Sequence, residues 1–255
     1  MTDTNPSHVT KTISATSHVV GLLPQLAGIV AGVSALSLFA GWREISAYYS
    51  ALGAPWVSEM LNPSRFVERS GSLMGTIGLF TLLSVYWLSA ESITEKGLRR
   101  ASIVALLLAA LFYFAGVAPA YWFEKSTIYL FAILAAQLTA VSAGLTIGEL
   151  IAGLAVRDLK WQGYHVWLLY CVVLFGLLQA PDRLGRAKAE LDGAPDSTTL
   201  PIVSTTVVVP GRVWRLVTTI DGSFLAVALG AKREEHVFRI FAASEIANIK
   251  SSYSK

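Results

Sequence analysis

Residues 128–156 read IYLFAILAAQLTAVSAGLTIGELIAGLAV, and Glu149 is the only charged side chain among them. A helix needs about 20 apolar residues to cross the roughly 30 Å hydrocarbon core of a bilayer, because each residue advances the helix by about 1.5 Å. This stretch meets that requirement without interruption. It therefore predicts a membrane-spanning helix.

Small residues recur at every fourth position of this stretch, on one face of the predicted helix. Small side chains let helix backbones approach closely inside a membrane, where lipid is as apolar as the helices themselves. We expect the row to place this helix at the centre of a bundle or against a second copy of the chain. The same kind of spacing pairs Gly28 with Gly32 and Gly71 with Gly75 in two other apolar runs. The row itself runs through Ala132, Ala136, Ala140, Gly144, Gly148 and Ala152.

Four further apolar runs predict a membrane bundle of about five helices within residues 18–180. These runs cover residues 19–40, 70–90, 101–123 and 161–180. The composition agrees, because 54% of the residues are hydrophobic and 15% are charged, whereas soluble domains are charged at about a quarter of their positions. It also excludes an intrinsically disordered chain, and the single cysteine excludes a disulfide-built scaffold. Residues 1–17, rich in Thr and Ser, are expected to form a mobile tail.

The charges indicate an orientation but no nucleic-acid partner. Residues 1–180 hold 19 charged side chains and residues 181–255 hold 18, and the Lys and Arg residues do not form one basic face. Short loops rich in Lys and Arg stay in the cytoplasm, and residues 91–100 and 157–165 are of this kind. Against this orientation stand the basic residues within 41–69, which are spread out and matched by acids, and the basic residues Arg183, Arg186 and Lys188 after the last run. The density of charge in the short loops favours the first interpretation. We therefore expect a cytoplasmic N-terminus and a periplasmic or extracellular C-terminal domain.

Gln137 and Glu149 are the candidate polar residues within the predicted membrane region. Polar side chains in lipid are costly, so they often mark function or contacts between helices. Glu149 lies near one end of its helix, where it can reach headgroups or pair with Arg157. A structural contact inside the bundle and an ion or proton pathway are the alternatives. Gln137 lies near mid-membrane, and we expect it to join helices.

Residues 43–69 predict an amphipathic segment in the membrane interface. Apolar residues recur there at helical spacing and include Tyr48 and Tyr49, and Trp56 follows in a second short helix. Tyr and Trp favour the headgroup region, so we expect these three side chains to be interfacial anchors. A docking surface or a pore rim is the alternative. Asn62-Pro63 predicts the start of the next helix.

The C-terminal part changes to a strand-like pattern after a helical extension and linker over residues 181–199. Runs at 202–209, 212–220, 223–230 and 236–241 predict strands, and Asp221-Gly222 predicts a hairpin because both residues tolerate positive φ. A short helical turn and a last strand can follow. Residues 200–255 therefore predict a small all-β domain, either an SH3-like barrel or a curled sheet of four to five strands.

No motif in the sequence predicts a catalytic residue, a cofactor site or a metal site. The four His residues, at 8, 18, 165 and 236, lie far apart, and no phosphate-binding loop occurs. The favoured function is a non-catalytic protein of a bacterial-type inner membrane, whose β-domain binds a partner or senses a signal next to the membrane. One form of it is a protective, immunity-type protein. Besides the lipid bilayer, a protein partner or a second copy of the chain is expected.

A subunit of a channel or transporter, with residues 128–156 as its central helix, is the alternative function. Transporters usually show broken helices, internal repeats and charges at mid-membrane, none of which the sequence offers clearly. A membrane enzyme with residues scattered over several helices is the third hypothesis.

Overall fold

Six helices precede a β-sheet in the computed structural model, which describes residues 28, 31–117, 123–156, 164–205 and 212–250. Helix α1 covers residues 31–52, and the others are α2 (Val57–Met60), α3 (Pro63–Ser89), α4 (Glu95–Ala115), α5 (Lys125–Val156) and α6 (Tyr164–Asp192). Among the described residues, the four helices α3 to α6 are long and apolar enough to cross a membrane, rather than the five expected. Half of the predicted span 19–40 is described, and those residues, 28 and 31–40, are helical. The other half of this span and the whole predicted tail 1–17 lie outside the described residues.

Local sequence signals explain where these helices begin and end. The Asn62 side chain accepts a hydrogen bond of 3.0 Å from the Ser64 backbone, and Pro63 takes the first position of α3, as the sequence predicts. Helix α1 ends at Gly53, whose φ of +104° is a left-handed conformation that a side chain would strain.

Helix α5 lies between α3, α4 and α6 and packs against all three. Its Ala136 and Ala140 are 2% and 0% exposed and belong to a core that also contains Ile77 of α3 and Leu177 of α6. Helix α1 adds Ala40 to the same core. The small residues of α5 thus form the surface against which the neighbouring helices pack.

The C-terminal part forms one antiparallel sheet of five strands. They are β1 (Ile202–Thr205), β2 (Trp214–Ile220), β3 (Ser223–Ala228), β4 (Val237–Phe241) and β5 (Ile246–Lys250), in the order β4-β3-β2-β1-β5. The hairpin between β2 and β3 turns at Asp221 and Gly222, whose φ angles are +45° and +81°, which confirms the Asp-Gly prediction. Strand β3 ends at Ala228, two residues before the predicted strand 223–230 does. The C-terminal part of the predicted strand 202–209 belongs to residues 206–211, which lie outside the described residues.

The sheet is open, so the prediction of a closed SH3-like barrel is wrong and that of a five-stranded sheet holds. Strands β4 and β5 lie at opposite edges, and no pairing joins them within the described strands. A small sheet must cover its apolar face, either by closing on itself or by packing on another layer. Here helices cover one face, because Ile220 and Leu225 share a core with Tyr48 and Leu52 of α1. A second core forms among the side chains of the sheet itself, around Trp214 and Phe241.

The sheet lies at the end of the bundle where α1 and α6 end and where α3 begins. Arg65 of α3 donates to Thr219 of β2, and Ala189 of α6 joins the core beneath the sheet. The connection between α3 and α4 lies at the other end, because α3 crosses the bundle from Pro63 to Ser89. At about 1.5 Å per residue, that crossing separates the two ends by roughly 40 Å.

Candidate functional site at the junction of the helices and the sheet

A shared hydrophobic core fixes the sheet to the end of α1. Ile45, Tyr48, Tyr49 and Leu52 recur on one face of α1, and this face packs against Ile220, Leu225 and the neighbouring residues of the sheet. The rings of Tyr48 and Tyr49 meet edge to face with centroids 5.0 Å apart. The junction is therefore continuous protein interior.

The three residues expected at the membrane interface are placed differently from one another. Tyr48 and Tyr49 are 8% and 5% exposed and contact protein. The apolar face to which they belong is therefore covered by the sheet. Trp56 is 42% exposed, and for it the interfacial role stays a prediction. The sequence pattern identified an apolar helix face correctly, but periodicity does not say whether lipid or protein covers such a face.

Two side chains of the sheet close the C-terminal end of α1. Arg233 donates to the Ser50 carbonyl, and His236 Nδ1 lies 3.0 Å from the Leu52 carbonyl. The last carbonyls of a helix have no partner within the helix and carry its negative dipole end, so a cation is favoured there. These bonds attach the segment before β4 to the helix independently of the apolar core.

Asp192 organises the polar side of the junction. This carboxylate is 2% exposed and accepts hydrogen bonds of 2.8 Å from the Tyr48 hydroxyl and 2.7 Å from the Thr199 hydroxyl. Burial and the nearby Asp192 charge raise the pKa of Tyr48 well above its usual value, so the hydroxyl remains a donor. Burial raises the pKa of Tyr49 to about 12. The sequence interpretation did not identify Asp192, because its partners lie on distant segments.

An ion pair between Glu44 and Arg69 joins α1 to α3 below the tyrosines. The two side chains are 2.5 Å apart, and Glu44 is 5% exposed. Burial raises the pKa of the Glu44 carboxyl, and the Arg69 charge opposes that rise. Helix α6 also packs closely against α1 here, because a Cβ at Gly185 would lie 2.2 Å from the Glu44 carbonyl oxygen. Three helices therefore meet tightly just beneath the sheet.

A cavity of about 590 Å³ lies between these helices and β2. Its size falls within the roughly 300–1,000 Å³ of small-molecule sites. Tyr49 and Thr218 face it, together with charged side chains of both signs: Arg65, Glu68, Arg69, Lys188 and Asp192. With acids and bases mixed in this way, the cavity has no single sign of charge, so it can hold water or a polar molecule but does not select an anion or a cation.

The two candidate polar residues of the membrane region both join helices. The Gln137 amide donates to Ser72 at 2.9 Å and accepts from Thr76 at 2.6 Å, which connects α5 to α3. Glu149 is 5% exposed and accepts a hydrogen bond of 2.6 Å from Arg99 of α4. The Arg99 contact is a structural contact inside the bundle, the alternative expectation for Glu149. Arg157, one of its two favoured partners, lies outside the described residues, and the contact with headgroups stays a prediction.

The glycines of the predicted packing pattern fall into two groups. A Cβ at Gly144 would lie 2.6 Å from the Ile77 carbonyl oxygen, and one at Gly148 would lie 1.6 Å from Ser84 Oγ, so both let α3 approach α5. A Cβ at Gly28, Gly32, Gly71 or Gly75 would meet nothing within 4 Å. These last four glycines face open space in the described structure.

Within the described residues, no three His, Cys, Asp or Glu side chains are grouped so that they could hold a metal ion. Comparisons with protein-family models, curated proteins and solved structures find no match for this chain.

Proposed function

We propose that the protein is a non-catalytic, multi-pass protein of a bacterial-type inner membrane, whose β-sheet binds a protein partner next to the membrane. The observation that supports it is the junction: the sheet shares a core with α1 and α6 and closes the end of α1 through Arg233 and His236. A sheet held in this way stands at a fixed position above the membrane. Binding to it can then be transmitted directly to the helices.

We place the partner at the outer edge of β5. Four of the five residues of this strand are exposed, and within the described residues no strand pairs with its outer edge. An open edge presents unpaired backbone N–H and C=O groups, to which an extended segment of another protein can add as a further strand. Strand β4 forms the other edge, but the segment before it is occupied by the contacts to α1.

Two matched substitutions test this assignment in the full-length protein. Ile249 of β5 and Ile240 of β4 are 41% and 40% exposed and lie at opposite edges of the sheet. A lysine on an edge strand opposes strand addition, so Ile249→Lys should remove a crosslink to a discrete partner in intact cells, whereas Ile240→Lys should keep it. Similar thermal stability of the two variants shows that both are folded. A crosslink that survives Ile249→Lys, or is lost equally in both variants, contradicts the assignment.

A channel or transporter subunit is the second candidate, and the central position of α5 among three helices favours it. The polar side chains of α5 weaken it, because Gln137 and Glu149 are occupied by hydrogen bonds to α3 and α4. Ion flux into liposomes that contain the purified protein distinguishes the two candidates. Flux that disappears in Glu149→Gln, with the protein still folded, supports the channel over the binding protein.

A further inference from the structure

An apolar groove of about 370 Å³ lies between α4 and α6. Its floor is formed by Ala132, Ala135 and Ala136 of α5, and Gly176 of α6 adds no side chain. Because these residues are small, α4 and α6 rest on α5 without filling the space between them. The result is a groove along the outside of the bundle.

The groove opens on an exposed, apolar outer side of the bundle. Phe114 and Phe175 at its rim are 70% and 65% exposed, and Val172 is 44% exposed. All three belong to helices that are apolar enough to cross a bilayer. Exposing such an apolar surface to water is unfavourable, whereas contact with a lipid acyl chain is favourable.

One end of the groove is polar and positively charged. Gln179 and Arg183 lie there, and among the described residues Arg183 is the only charged one that lines the groove. Its guanidinium carbon lies 4.2 Å from the centre of the Tyr113 ring, which covers one face and leaves the N–H edge available. The adjacent Asp182 is bound by Arg43 and Arg186, and no ion pair with Arg183 is found in the described part of the chain.

The length of the groove matches one leaflet of a bilayer. From Val172 to Arg183 the helix rises about 16 Å at about 1.5 Å per residue. That is close to half of the roughly 30 Å hydrocarbon core. A groove of this length would place the guanidinium at the level of the headgroups on the side of the sheet, with the apolar floor beneath it.

We infer that this groove binds one anionic glycerophospholipid of the leaflet on the side of the sheet. One acyl chain lies on the alanine floor, and Arg183 donates to the phosphate, with the Gln179 amide as a second donor. A zwitterionic lipid fits the apolar part equally well. It lacks the net negative charge that an unpaired guanidinium favours.

Native mass spectrometry of the full-length protein, with added phosphatidylglycerol or phosphatidylcholine of the same acyl chains, tests the headgroup site. The wild type should retain phosphatidylglycerol at least about fivefold better than phosphatidylcholine, and Arg183→Gln should remove this preference. Lys188→Gln is the control, because Lys188 lies on the same helix and does not line the groove. A preference that persists in Arg183→Gln, or that both variants lose equally, overturns the inference.

Filling the groove tests the acyl-chain site separately. Ala110 of α4 lines the groove, whereas Leu107 is 65% exposed and does not. Ala110→Phe should lower retention of both lipids severalfold, and Leu107→Phe should not. Unchanged retention in Ala110→Phe overturns the inference, as does a wild-type dimer that Ala110→Phe converts to monomers, because a second copy of the chain would then fill the groove.

Discussion

At the scale of single residues, the buried charges of the bundle are held by partners on other helices. Glu149 on α5 meets Arg99 on α4, and Glu44 on α1 meets Arg69 on α3. An unpaired carboxylate in such surroundings would be expensive, so each pair fixes which helices lie side by side. The sequence showed that Glu149 needed a partner. It suggested headgroups or Arg157 and did not point to Arg99, because a partner on another helix depends on how the helices pack.

Glu149→Gln should destabilise the protein, because it leaves the Arg99 guanidinium without its charged partner. The expected loss is about 1–3 kcal/mol in the free energy of unfolding, measured by thermal or chemical denaturation in detergent. Glu95→Gln is the control, because Glu95 lies 4.0 Å from the same guanidinium with 41% of its side chain exposed. It should cost less than about 1 kcal/mol. Equal losses in the two variants would show that the buried ion pair contributes no more to the free energy of unfolding than the exposed one.

Glu44 should make stability depend on pH. Burial raises its pKa above the usual value near 4.5, so the folded state binds this proton more tightly than the unfolded state does. Stability from this group is therefore fully present below pH 4.5 and is lost as the pH rises through the raised pKa. Melting temperatures of the wild type and Glu44→Gln between pH 4.5 and 7 should show the wild type losing stability relative to the variant. A constant difference between the two across that range would contradict the assignment.

At the scale of elements, the close approach of α3 to α5 depends on single glycines. Gly144 meets the Ile77 carbonyl oxygen and the Phe80 side chain, neither of which can move without shifting α3. The row of small residues in the sequence predicted a helix with close neighbours. It could not say that Gly71 and Gly75, with the same spacing, face open space, because spacing does not identify the neighbour.

Gly144→Ala should therefore destabilise the bundle, whereas Gly75→Ala should not. A methyl group at Gly144 would lie 2.6 Å from the Ile77 carbonyl oxygen, and the forced separation should cost about 1–3 kcal/mol. At Gly75 nothing lies within 4 Å, so the helix propensity of alanine should leave stability unchanged or raise it by up to about 1 kcal/mol. Denaturation of both variants in the same detergent compares them. A Gly144→Ala protein as stable as Gly75→Ala would contradict the packing.

Within the sheet, local features were predictable and distant pairings were not. Asp221-Gly222 specifies its hairpin because two adjacent residues set the turn. The pairing of β5 with β1 joins segments that are more than 40 residues apart, as in Val203 with Ile249, and no short pattern encodes it. For the same reason the sequence could not decide between a closed barrel and an open sheet. It could not foresee that α1 and α6 cover one face of the sheet.

At the scale of the whole molecule, composition separated the membrane part from the strand part, and the structure shows how the two are joined. Helix α1 is the link, because its Ala40 packs in the bundle and its Leu52 packs under the sheet. The two parts therefore share one continuous helix and do not hang on a flexible linker. Under the proposed function, this join would transmit binding at the sheet to the bundle.

We predict the orientation of the molecule from the positive charge at the end remote from the sheet. Arg99 lies there with Lys96 and Arg100, next to the connection between α3 and α4. Basic residues near the ends of spans favour the cytoplasm, so the account predicts the sheet on the opposite side of the membrane.

Cysteine labelling in intact cells tests this account most directly. Ser92 and Ser244 are both exposed, Ser92 in the connection between α3 and α4 and Ser244 in the sheet domain, and Cys171→Ala removes the native thiol. With a membrane-impermeant maleimide, a cysteine at Ser244 should react in intact cells and one at Ser92 only after permeabilisation. Reaction at Ser92 alone would reverse the orientation, and equal reaction at both positions in intact cells would contradict a bundle that separates them across a membrane.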